Sequence, residues 1–491
     1  MGYDEILRKN EGIKERFLDT PALGFRDGRK VSTAEIWEFL TVEGPRRYPN
    51  QFSQGDRRGF SEDIDLISGI KRHYLGLSLH DRLNKAAKNG VPVVLIQGGQ
   101  THEPYYAAGA IPVRPGIVNG WATNSKENMT YEEADLRRLE IREVGRQQLS
   151  VEACQTAKYE IIQNGLVPIT MVAPYLCTRC SDIGFGVEAH RHGPIPVGLA
   201  PVDYPVNGQH RKPWAARYVS KNLRRTVGQI AERSGTAVTD QALWDEIRLH
   251  NEKRRLAREF QELWWNAEVP PTNSQDHGGI RGLGNESSGD PVAAKQILEE
   301  SLAEVRGRVA KGQRGAGLAE NPVRLFVCGS CISPNLKQVD RSGGVVAGKD
   351  DGWSEVCVDV EEGGDPYEKL AAAMLQWPYE LPTQERASWT AEQVRKSRSQ
   401  GLLFMYQWGC NFQSGAARMV ADIVKDLTGV PTLIAERAMA ERAEGHEQLH
   451  TRVDVFIEML QQPGSTVTPG PSFGLSEAGT APCGAVAGAC K

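Results

Sequence analysis

Along the chain, short runs of consecutive apolar residues alternate with longer stretches whose apolar positions recur every three or four residues. The short runs predict buried strands at 90–96 (GVPVVLI), 111–113 (IPV), 168–173 (PITMVA), 323–327 (VRLFV), 402–406 (LLFMY) and 431–434 (PTLI). A helical stretch at 105–109 separates the first two. The clearest helix covers 240–265, where Thr239 or Asp240 can cap the first turn and Leu243, Ile247, Leu256, Phe260 and Leu263 form the apolar stripe. Strands alternating with helices imply parallel sheets with crossover helices, so the fold class is α/β. The arginines of the long helix, among them Arg254, Arg255 and Arg258, read as a solvated face, with phosphate contact as the alternative. Residues 270–290, rich in Gly, Asn and Ser, read as a loop or lid. Residues 311–321 read as a linker and the low-complexity stretch from 462 as a tail.

Composition narrows the classes. A chain of 491 residues exceeds one ordinary core and implies two or three domains. With 40% hydrophobic and 24% charged residues it is of ordinary globular composition, and a net charge of −4 offers nucleic acid no global attraction. No apolar run approaches the roughly 18–20 residues of a bilayer crossing. The opening MGYDEILRKNEGIKERF lacks the apolar centre of a secretory signal. The expectation is a cytoplasmic protein with no membrane and no nucleic-acid partner.

The nine cysteines change the picture more. A disulfide framework suits small exported domains, not this chain. Cys177 and Cys180 form one CxxC pair, Cys328 and Cys331 a second, and Cys154 and Cys410 stand singly. Two such pairs point to a metal or cluster held by thiolates, with a four-cysteine zinc site as the alternative. Cys177 and Cys180 follow the 168–173 strand, Cys328 and Cys331 follow 323–327, and Cys410 follows 402–406. Ligands gather beyond the carboxyl ends of parallel strands. Cys357 reads as a small buried hydrophobe, and Cys328 has the same alternative reading. Cys483 and Cys490 lie in the tail and are weak ligand candidates.

The order of landmarks resembles the 2-hydroxyacyl-CoA dehydratase and benzoyl-CoA reductase subunits. Thr101-His-Glu-Pro104 is followed by AAGAIPVR, then come Cys154-Gln-Thr-Ala-Lys158 and Cys180-Ser-Asp182. Ala200-Pro-Val-Asp-Tyr-Pro205, the helix LHNEKRRL with Val269-Pro-Pro271, QWGCNFQSGAARM around Cys410 and the closing EQLHTRVDVFIEML complete the series. The resemblance spans about 90–460. It implies two or more Rossmann-like parallel-sheet domains with an iron–sulfur cluster in the cleft between them, held by Cys154, Cys180 and Cys410. It also implies a separate ATP-hydrolysing activator that delivers electrons singly, an acyl-CoA thioester substrate, and a homologous second subunit or a homodimer. Cys177, Cys328 and Cys331 are additional to that pattern. Six thiolates would suit a double-cubane cluster of two linked four-iron units. The expected activity is an anaerobic low-potential reductase of an aromatic acyl-CoA, similar to benzoyl-CoA reductase. A 2-hydroxyacyl-CoA dehydratase subunit, or a double-cubane reductase of small molecules, is the alternative.

The divisions expected are 1–85 (helical or irregular), 86–235 (first Rossmann-like domain), 236–320 (helical connector and Gly-rich loop), 321–461 (second Rossmann-like domain) and 462–491 (flexible tail). Three further candidates stand beside the cysteines. His190 and His192 either cap a loop or carry protons beside the cluster. Arg281 either clamps a carboxylate or phosphate or decorates the lid. Gly343-Gly-Val-Val-Ala-Gly348-Lys349 fits GxxxxGK, but Asp350 follows where a Ser or Thr should hold Mg²⁺, so a strand with an acidic turn is expected and no ATP hydrolysis.

Overall fold

The computed structural model describes residues 11–48, 64–96, 100–114, 133, 168–173, 175–176, 202–203, 205, 209–329, 333–378, 381–406, 410–436 and 443–462. β1 (Leu23–Gly24) and β2 (Lys30–Val31) make a small antiparallel pair. β3 (Val93–Ile96), β4 (Ile111–Val113) and β5 (Met171–Ala173) form a parallel sheet in the order β4-β3-β5. β6 (Tyr175–Leu176) and β7 (Val202–Asp203) pair in parallel beside them in sequence. β8 (Val323–Gly329), β9 (Gly344–Lys349), β10 (Gly401–Tyr406) and β11 (Thr432–Glu436) form a second parallel sheet in the order β11-β10-β8-β9. The fold is α/β with parallel sheets and crossover helices, as the alternation of patterns implies.

In both sheets the chain starts in an interior strand, adds a neighbour on one side, and then crosses to the other. The order therefore reverses between β3 and β5 and again between β8 and β10. At such a switch point the crossovers leave on opposite faces and open a crevice outside the carboxyl ends of the strands. The second sheet buries both faces. Val323, Leu325 and Val327 of β8 pack towards Phe456 and Ile457, whereas Phe326 and Cys328 pack towards Ala391, Val394 and Val420. That two-sided burial is why VRLFVCG and GLLFMY read as unbroken apolar runs.

The long helix runs Asp240–Asn266, one residue past the periodic stripe, and Thr239 accepts a hydrogen bond from the Ala242 backbone N–H as its cap. It joins two cores. Its first half lies in the first sheet's core, where Leu243 and Ile247 share one buried cluster with Val94 and Val227. Its second half, with Leu256, Phe260 and Trp264, packs against the Pro291–Ala310 helix and the N-terminal helices. Residues 360–377 return to the first sheet's core through Val360, Tyr367 and Leu370. Asn251 fastens this return at both ends of its amide, donating to Val360 O at 2.8 Å and accepting from Val360 N at 3.0 Å.

The loop or lid expected over 270–290 is instead built around a helix, Ser274–Gly282, and lies in the core. Asn273 caps it by accepting from the Asp276 N–H at 2.9 Å, and His277 stacks on Trp264 with ring centroids 4.3 Å apart. Gly, Asn and Ser here serve capping and close packing, which composition alone does not separate from a loop. No helix among the described residues is long and apolar enough to cross a membrane.

Candidate functional site

The carboxyl ends of β3 and β4 open onto a small cavity lined by Thr101, His102, Glu103, Arg114, His250 and Arg254, closed by Gly284, Asn285, Glu355 and Trp377. Three segments that sequence alone does not connect meet here. Gln100, Thr101 and His102 lead from β3 into the short helix Glu103–Ala107. Arg114 directly follows β4, and His250, Lys253 and Arg254 project from one side of the long helix.

The charges are buried and matched. Glu103 is fully buried and its two oxygens are taken by the Arg254 guanidinium and the Thr101 hydroxyl. Burial alone would raise the Glu103 pKa, but the adjacent Arg254 outweighs it and holds the carboxyl well below the usual carboxylate range. Arg114 donates to both oxygens of Glu355, at 3.2 and 2.6 Å, to Gln100 O at 3.2 Å, and through Nε to His102 Nε2 at 3.1 Å. Since Arg114 donates only, His102 Nε2 is an acceptor and its ring proton sits on Nδ1. Burial and the Arg114 charge push the His102 pKa well down, which keeps the ring neutral. Lys253 is buried and donates to the Ser287 hydroxyl. Desolvation, reinforced by Arg254, brings its pKa down to about 7.

The second sheet carries the described cysteines of the predicted ligand set. Cys410 follows β10 by four residues and caps the helix Asn411–Thr428, its carbonyl accepting from Gln413 N at 3.1 Å and Ser414 N at 2.9 Å. A helix N-terminus favours the thiolate over the thiol. Cys410 is mostly buried (8% exposed) and stands at the β8/β10 switch point, so its chemistry and position fit an iron ligand. Cys328 is placed differently. It lies within β8 opposite Phe404, fully buried, with its S–H donating to Asp350 Oδ2 at 2.9 Å. Burial and the Asp350 carboxylate push its pKa well up, which favours the thiol over the thiolate. Arg386 ties this point to the helix that Cys410 caps. Its guanidinium pairs with Asp350, reaches Cys328 Sγ at 3.6 Å and donates to Gln413 Oε1 at 3.1 Å. Cys357 ends the short helix Trp353–Val356, half-buried, with burial pushing its pKa up to about 12.

Cys154, Cys177, Cys180, Cys331, His190 and His192 lie outside the described residues, as do Cys483 and Cys490. Among the described residues no group of three or more His, Cys, Asp or Glu is arranged to hold a metal ion. Arg281 belongs to the Ser274–Gly282 helix and not to a lid. It donates to Lys349 O at 2.9 Å and lies 5.6 Å over the Trp353 ring, and it is not among the residues that line the cavity. Arg254 is the other correction, since it is buried against Glu103 and not part of a solvated face. Arg255 and Arg258 do meet surface carboxylates, Glu252 and Asp359. The GxxxxGK segment is strand β9 itself, with Asp350 buried after it; its backbone is extended at the sheet edge, paired with β8 and with Val346 N–H donating to Ser274 Oγ, and forms no phosphate-binding loop.

The family model of the 2-hydroxyglutaryl-CoA dehydratase D-component matches residues 101–460. The chain belongs to this family. A relative named as a candidate dehydratase subunit, YjiM of Escherichia coli (strain K12), is 27% identical over 255 residues, covering 50% of this chain. The match spans 63% of that relative's own length. The match begins at Thr101, so the cavity's landmark THEP and the Cys410 segment both fall within it. His102, Glu103, Arg114, His250, Lys253 and Arg254 were all present in the landmark segments, yet nothing in their spacing marks them as one cluster.

Proposed function

We propose that this chain is the iron–sulfur component of a dehydratase acting on a 2-hydroxyacyl-CoA thioester. The observation that carries this is the match of residues 101–460 to the dehydratase D-component family, with which a small cavity lined mainly by polar and charged groups accords. The family membership supports the same choice over the reductase reading, whose basis in the sequence was a set of six thiolates. The Cys328 contact with Asp350 inside β8 supports the smaller, three-cysteine set.

We read Cys154, Cys180 and Cys410 as the cluster ligands; Cys410 supports this by its place at a switch point and a helix N-terminus. When bound, the cluster supplies single electrons at low potential. The chain's own residues do the rest. Glu103 and Arg254 hold fixed opposite charges beside the acyl end, His102 presents a neutral ring, and Lys253 carries a proton that is labile near neutral pH. His190 and His192 stand as further proton carriers; Arg281 is not kept as a substrate clamp. The acyl-CoA substrate, a separate ATP-hydrolysing activator, and a homologous second subunit or second copy are the partners of this reading.

The test is an anaerobic assay of the chain with its activator, any second subunit and ATP. Conversion of a 2-hydroxyacyl-CoA to the 2-enoyl-CoA with no net consumption of reductant supports the proposal. Stoichiometric reductant consumption with benzoyl-CoA, and no dehydration, refutes it.

A further inference from the structure

Resting on the reading of Cys410 as an iron ligand, we infer that Arg386 is a positioning residue for that ligand: it anchors Gln413, and with it the helical turn that Cys410 begins, to the carboxyl end of β8. Arg386 lies in the helix Thr383–Lys396, and its side chain is 1% exposed. Its two terminal nitrogens serve different partners. Nη2 pairs with Asp350, and Nη1 donates to Gln413 Oε1 at 3.1 Å. Asp350 is itself fastened to β8: its N–H donates to Val327 O at 3.0 Å, and its Oδ1 accepts from the Gly329 N–H at 3.0 Å. At the other end, Gln413 is fully buried and its backbone N–H donates to Cys410 O at 3.1 Å. The bridge therefore runs from the end of β8 to the first turn after β10, across the β8/β10 switch point.

Holding the two helices together does not require these charges. Ala387, Ala391 and Val394 of one share a buried apolar cluster with Ala417, Val420 and Val424 of the other. A buried ion pair often adds no stability over apolar side chains of similar volume. What it adds is direction, because a guanidinium fixes separate acceptors in one plane and the single nitrogen of a lysine does not. Residues behind a metal ligand set its orientation, and their loss typically costs about 10–100-fold in metal affinity. Arg386 occupies that place behind Cys410.

The experiment compares Arg386→Lys, Gln413→Leu and the double variant with the parent, each as the anaerobically purified full chain. Arg386→Lys keeps the charge opposite Asp350 and loses the fork. Gln413→Leu keeps the Arg386–Asp350 pair and loses the acceptor. Each should release iron to a ferrous chelator about tenfold faster than the parent. The double variant should be no faster than the singles, because both cut one link. The reduction potential of the retained cluster, followed by electron paramagnetic resonance, should rise in both singles. A loosened turn admits water, which favours the more highly charged reduced form. A merely structural role would lower the urea midpoint and leave that potential alone. Parental iron release in both singles overturns the inference, as does an unchanged potential or an additive double variant. If Arg386→Lys fails to fold, Gln413→Leu alone decides. Cys410→Ser separates the two readings. Iron kept there at the parental level sinks the ligand reading and the inference with it. Iron lost from Cys410→Ser, with Gln413→Leu behaving as the parent, sinks the inference alone.

Discussion

Glu103→Gln removes one buried charge and almost no volume, so it isolates the electrostatics of the cavity. In the parent, Glu103 and Arg254 have side chains 1% and 8% exposed and pair directly. The variant leaves the Arg254 charge beside Lys253 with no carboxylate against it, and the amide can accept only one of the two hydrogen bonds that Thr101 and Arg254 now donate. Breaking a buried pair in this way costs about 3–5 kcal/mol, because the surviving charge keeps its desolvation penalty. Arg254→Met should cost about as much for the mirror-image reason. The double variant Glu103→Gln/Arg254→Met removes both charges and should be less destabilised than the sum of the singles by at least about 2 kcal/mol. Acid should act in the same sense. The folded Glu103 pKa lies below its unfolded value, so its contribution is present above the unfolded pKa and lost as pH falls through the folded one. Glu103→Gln should therefore lose less stability than the parent on acidification below about pH 4. The assay is urea unfolding followed by tryptophan fluorescence, which Trp244, Trp264 and Trp265 of the same helix report. An unchanged midpoint in Glu103→Gln, or strict additivity in the double variant, would show that this pair is not the buried, coupled pair described here.

Three further outcomes are expected. Lys253 has a folded pKa of about 7 against an unfolded value near 10.4, so it binds fewer protons when folded between those values and its burden on stability is relieved as pH rises from 7; Lys253→Met should flatten the parent's rise in urea midpoint between pH 7 and 9, and equal slopes would disprove the shift. Cys410→Ser and Cys180→Ser should lose most of the iron of anaerobic preparations, whereas Cys328→Ser and Cys490→Ser should keep it; iron and acid-labile sulfide analysis decides, and a Cys328→Ser protein with about half the iron would restore the larger cluster. Gly329 ends β8 at φ +127°, where an added Cβ would lie 1.7 Å from Met405 O, so Gly329→Ala should destabilise the second sheet by about 3 kcal/mol or more, and a variant with parental thermal midpoint would contradict that backbone geometry.

The fold was legible wherever one physical cause dominated the local pattern. Strands buried on both faces show as largely apolar runs, so β3, β8 and β10 were found within a few residues of their ends. The long helix announced itself by its Thr239 cap and its apolar period. The Ser274–Gly282 helix was missed because Gly, Asn and Ser carry both loop and capping signals, and the stacking of His277 on Trp264 that holds it is a tertiary contact. Arg254 was misread for a related reason. Periodicity says which face of a helix is charged, but not whether a carboxylate 151 residues away covers that face.

That last point explains why the cysteines were easier to find than the buried charged cluster beyond β3 and β4. CxxC pairs and single cysteines just past a predicted strand stand out in the sequence itself, and Cys410 lies four residues past β10 at the N-terminus of the next helix. A buried acid–base cluster needs no such local signature. Glu103, Arg114 and Arg254 each lie in segments that taken alone resemble ordinary polar surface, and they become a site only because β3 and β4 end side by side under the long helix. The same parallel crossover rule that places Cys410 at one switch point places Thr101 and His102 at the end of the strand bordering the other. One topological device is therefore used twice, once with a cysteine near its mouth and once with matched, buried charges.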